Sequence, residues 1–60
     1  MAEQRWSYQV VDIRPKFFLG SNREQVQEKL NQMGAQGWEL VTVLHTRPFE
    51  PTRLYFKRSL

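Results

Sequence analysis

His45 is the one histidine in a chain of 60 residues that contains no cysteine. A single imidazole without thiolates excludes a histidine-rich or cysteine-based metal centre within one chain. His45 follows an apolar run, "WELVTVL", where a solvated or internally satisfied ring is the simpler role. Asp12 and Glu39 fall in strand-like stretches. Two carboxylates held close with split proton affinities could do acid–base work, but strand carboxylates more often meet a cation across the sheet, here Arg53 or Lys57. Ser7, Ser21 and Ser59 have neither a local base nor a nucleophile elbow. No glycine pattern for phosphate or dinucleotide binding is present. The residues point away from catalysis, and they call for no metal and no cofactor.

Binding chemistry is better represented. The formal net charge is +3 and the pI is about 9.8, which permits an acidic partner and also serves simple solubility. Arg47, Arg53, Lys57 and Arg58 crowd the last third of the chain among Phe49, Tyr55 and Phe56. Aromatic rings beside cations are how single-stranded nucleic acids are held, so this cluster makes a basic nucleic-acid-binding domain the alternative reading. Arg14 and Lys16 precede "GSN" (20–22), a helix start that offers free N–H groups to a phosphate, as every helix start does. Phe17, Phe18 and Leu19 form an apolar loop. They either fold over the core edge, bury across a dimer, or serve as contacts for a protein partner.

The elements that must position these groups are legible from periodicity. "WSYQVVDI" (Trp6–Ile13) reads as a strand with Tyr8 and Val10 on one face and Val11 and Ile13 on the other, ended by Pro15. Ser21 and Glu24, three apart, form a capping box. The helix that follows places Val26, Leu30 and Met33 on one narrow apolar stripe. Gly34 or Gly37 caps its C-terminus in the left-handed conformation. The other glycine lets the chain turn back, Ala35 lets the helix end approach the sheet, and Trp38 folds its indole under the helix. Strict alternation from Trp38 to Thr46 sets Trp38, Leu40, Thr42 and Leu44 against Glu39, Val41, Val43 and His45. "RPFEPT" is a turn, and "RLYFKRSL" a third strand with Leu54 and Phe56 opposite Tyr55 and Lys57.

The expected fold is therefore α+β: one small domain over residues 1–60, β-α-β-β, with a three-stranded, mainly antiparallel sheet and one helix on one face. All pairings are antiparallel if the third strand lies between the other two. One helix covers one sheet face, yet the strands carry apolar residues on both, where a solvated face would alternate to polar. A second copy of the chain is the simplest cover. A domain of this size without disulfide or metal also gains from association. The expected oligomer interface is Val11, Ile13, Val41, Val43 and Tyr55. The function that follows is a non-catalytic binding or scaffold module acting as a homodimer or higher homo-oligomer. No apolar run approaches the ~20 residues of a membrane span, and "MAEQRWSY" lacks a signal-peptide core, so a cytoplasmic location is expected.

"YQVVDI", "EKLNQMGAQGWELVTV" and "YFKRSL", in that order and over nearly the whole chain, resemble a bacterial family of domains of unknown function numbered 4177. The family pattern is a YKVV-like first strand, a GAEGWELV-like signature and a closing FKR-x-L. Gly34, Gly37, Trp38, Glu39 and Leu40 carry the specific part of the match. Gln36 stands where the family usually has glutamate, and Ser59 where proline is common. The resemblance implies a small β-α-β-β domain and carries over no catalytic residue.

Overall fold

In a computed structural model, described for residues 3–14, 22–47 and 49–60, the elements run β1 (Trp6–Ile13), α1 (Asn22–Ala35), β2 (Glu39–Leu44) and β3 (Thr52–Ser59). The strand order is β1-β3-β2, and both pairings are antiparallel. The last strand in sequence is thus the central one. Its inward side chains Thr52, Leu54 and Phe56 are buried, Leu54 and Phe56 almost completely. Ser21, the hydroxyl half of the expected capping box, and the Phe17–Phe18–Leu19 segment lie outside the described residues. Glu24 sits in the first turn of α1, where a carboxylate favours the positive end of the helix dipole.

The core consists of Ile13, Met33, Leu54 and Phe56, with Val11, Val26, Leu30 and Trp38 packed against it. The narrow stripe of α1 therefore does what its spacing requires: Val26, Leu30 and Met33 all meet the sheet. β1 and β3 pair without interruption, Val11 opposite Leu54 and Ile13 opposite Thr52. β2 and β3 do not. Leu40 is opposite Phe56, but Thr42 is opposite Tyr55, so the register shifts at Val41. One extra residue in a strand reverses the facing of everything beyond it.

The β1–β3 register and the bulge in β2 together correct the expected division of faces. Val11 and Ile13 lie on the side that α1 covers, in contact with the core. Val43 is opposite Leu54 and so shares that side, together with Leu40. Tyr55 faces the opposite way, in the row Val10–Tyr55–Thr42. Val41 is the extra residue of the bulge and is half exposed. The five residues expected to form one interface are thus split between two faces and a bulge. Strict alternation in β2 failed because a single unpaired residue is invisible to a period-two pattern.

The turn after α1 follows a defined geometry. The Trp38 amide donates to the Met33 carbonyl and the Gly37 amide to the Gly34 carbonyl, both at 3.0 Å, the two hydrogen bonds of a Schellman motif. Gly37 has φ +88°, the left-handed conformation that only glycine takes cheaply. Gly37 both ends the helix and turns the chain, while Gly34 remains inside α1. Ala35 is exposed and has no part in closing the helix onto the sheet. Trp38 packs against the core just before β2 begins at Glu39.

A candidate interaction face on the helix-free side of the sheet

Register places Trp6, Tyr8, Val10 and Asp12 of β1, Arg53, Tyr55, Lys57 and Ser59 of β3, and Glu39, Thr42 and Leu44 of β2 on the side away from α1. The apolar members stand in solvent: Tyr8 is 68% exposed, Val10 53% and Leu44 48%. Sequence reasoning recognised that a second apolar face existed but assigned the wrong members to it. Tyr8 and Val10 were separable from Val11 and Ile13 by alternation alone. Leu44 was not, because its facing depends on the bulge.

The charges on this face cancel. Arg53 Nε donates to Asp12 Oδ1 at 3.0 Å. The hydrogen bond that Arg53 donates to Asp12, and after it one to Tyr55, holds its guanidinium above even its usual range, so it stays charged at any accessible pH. Lys57 is opposite Glu39 in the register, and its Nζ lies 4.2 Å from the centroid of the Trp6 ring, a cation–π contact. Two cations and two carboxylates thus share this surface with its apolar and aromatic side chains and with Thr42 and Ser59.

The basic cluster seen in the sequence does not assemble into one patch. Lys57 and Arg58, adjacent in β3, point to opposite faces. Arg53 is tied to Asp12, and Arg47 lies 3.9 Å from Glu50 in the β2–β3 connection. Arg58 reaches over the helix end instead. It donates from Nη1 to the Gln36 carbonyl at 3.1 Å, and its guanidinium carbon lies 4.2 Å from the centroid of Trp38. Phe49 is 70% exposed at the connection, whereas Phe56 is core.

The acid–base possibility fares similarly. Asp12 and Glu39 lie on β1 and β2, the two outer strands, in different rows with β3 between them. They cannot share a proton or a substrate atom. The expected pairing of Asp12 with Arg53 is present. His45 is internally satisfied: Nε2 is 2.9 Å from the Arg47 carbonyl and Nδ1 is 3.1 Å from the Thr52 hydroxyl. Among the described residues no group of acidic, histidine or cysteine side chains could hold a metal ion. No described helix is long and apolar enough to cross a membrane. A shallow polar cleft lies between the end of β1 and α1, lined by Asp12, Arg14, Gln25, Glu28 and Lys29 among others. It gathers charges of both signs and no pair with nucleophile–base geometry.

No curated protein and no solved structure matches this chain. Its sequence matches one family along nearly all of its length, from the first residue of β1 to the last of β3, a range that includes the helix-ending Gly37 and the packed Trp38. The chain belongs to the family described as Domain of unknown function (DUF4177), whose profile covers residues 6–59.

Proposed function

We propose that this chain is a non-catalytic binding or scaffold module that works as a homo-oligomer, joined through the helix-free face of its sheet. The observation that carries this reading is the exposure of Trp6, Tyr8, Val10 and Leu44 on the face that α1 does not cover, although Leu40 and Val43 on the helix side are 37% and 45% exposed as well. Exposed apolar groups gathered on one face, unlike scattered ones, mark an interaction site. A second copy suits that face because its charges sum to zero: Arg53 and Lys57 against Asp12 and Glu39. It would meet itself without net repulsion, whereas a polyanion would gain little there.

Sedimentation equilibrium on the wild type and on a Thr42→Glu, Leu44→Glu variant tests the reading. Both substitutions place like charges on the face without touching the core. The wild type is expected to associate at micromolar concentration, and the variant to lose at least tenfold in affinity. A variant that associates as well as the wild type would remove the face from consideration. A strictly monomeric wild type would remove self-association altogether.

A further inference from the structure

The proposal above leaves the outer edge of β1 unexplained. Among the described residues β1 ends the sheet, so on its outer side its main-chain N–H and C=O groups meet no other described strand. Unpaired edges invite association, and proteins blunt them with bulges, proline, lysine or short length. β2, the other edge, is blunted: it has six residues, and its register breaks at Val41. β1 has none of these devices. It runs eight residues, "WSYQVVDI", with no proline, no glycine and one charge, and its register to β3 is unbroken. The two edges of one small sheet are built differently.

Area gives the edge a purpose. Strands about 4.8 Å apart, rising about 3.3 Å per residue, give three strands of this length a footprint of roughly 380 Å². That is about half of the ~800 Å² a partner commonly contributes to a stable interface. We propose that two copies of this chain pair antiparallel through their β1 edges, making one six-stranded sheet whose helix-free face is twice as large. The inference rests on the self-association proposed above and supplies the contact that makes the face large enough. Two such pairs stacked through the doubled face close as a four-chain assembly with three mutually perpendicular twofold axes.

Symmetry restricts the pairing. A twofold axis through the sheet keeps each face on its own side, so even-numbered β1 residues meet even-numbered ones. Arg5 and Arg14 differ in parity and are therefore never directly opposite. With Val10 on the axis, Tyr8 faces the copy's Asp12, and Trp6 faces the copy's Arg14. These are a phenol beside a carboxylate and an indole beside a guanidinium, both favourable. Val10 and Tyr8, 53% and 68% exposed in the single chain, would then flank the axis.

The chain has no cysteine, so single-cysteine variants report the contact cleanly. Val10→Cys and Gln9→Cys stand at the two centres that leave most of β1 paired with its copy, and Val41→Cys at the blunted edge measures random collision. Mild oxidation is followed by non-reducing electrophoresis, in the wild-type and in the Thr42→Glu, Leu44→Glu backgrounds. Position 9 or 10 is expected to cross-link at least tenfold faster than position 41 in both backgrounds, and the face variant to sediment as a two-chain species. Equal rates at all three positions in an associating protein would overturn edge pairing while leaving the face reading intact. Rapid cross-linking at position 10 together with face substitutions that leave the assembly's mass unchanged would do the reverse.

Discussion

Arg58 lies across Trp38, its guanidinium carbon 4.2 Å from the ring centroid, while its Nη1 donates to the Gln36 carbonyl at the end of α1. One side chain from the central strand thus clamps the helix terminus to the start of β2. Its aliphatic stem passes close to Gly37, where an added Cβ would stand 3.5 Å from Arg58 Cδ. The GAQGWEL signature is a joint, and Arg58 is its third side.

Removing the clamp should be measurable. Arg58→Ala loses a cation–π contact and a charge-assisted hydrogen bond to a helix-end carbonyl, together about 1–2 kcal/mol. Chemical denaturation followed by Trp fluorescence measures it. Arg58→Lys is expected to recover less than half, because an ammonium cannot stack on the indole and bond the carbonyl with one planar group. Wild-type stability in Arg58→Ala would show that the clamp adds nothing.

The two glycines of the signature should respond with opposite signs. Gly37 has φ +88°, so Gly37→Ala forces a side chain into the left-handed region at a cost of about 1–2 kcal/mol. Gly34 is helical, and nothing lies within 4 Å of a Cβ built on it. Gly34→Ala should therefore stabilise the protein by roughly 0.5–1 kcal/mol through helix propensity. Thermal unfolding of the pair is the check, and a shared sign would contradict the Schellman geometry.

His45 ties together the β2–β3 connection. A carbonyl only accepts, so the Nε2 facing the Arg47 carbonyl carries the proton of the neutral ring, and Nδ1 accepts from the Thr52 hydroxyl. Thr52 is 4% exposed, so its hydrogen bond to the ring is shielded from water. His45→Ala should cost about 1 kcal/mol and speed hydrogen exchange at the Glu50 amide, which bonds the Arg47 carbonyl. Unchanged exchange there would assign His45 a merely solvated place.

Some of this architecture is written in local residue order. The span of β1 followed from its β-branched and aromatic run, because a strand's preference is set by neighbouring side chains. The stripe Val26–Leu30–Met33 was legible because 3.6 residues per turn is a local constant. A glycine cap in the GAQG segment was readable too, though which glycine served depended on where the last helical hydrogen bonds closed. The Asp12–Arg53 pair was one of the pairings anticipated.

Other features belong to the tertiary structure alone. The central place of β3, the helix on the Val11–Ile13 side and the bulge at Val41 all depend on pairing between segments far apart in sequence. One unpaired residue in β2 moved Val43 to the helix side and Leu44 to the open side, which no alternation rule detects. Adjacency in sequence misled in the same way at Lys57 and Arg58, neighbours in the chain that a pleated strand sends to opposite faces. The sequence by itself determined which segments become helix and strand and that both sheet faces would carry apolar residues. Only the folded sheet decided which residues stand on that face, because facing is set by register, and register is a relationship between strands.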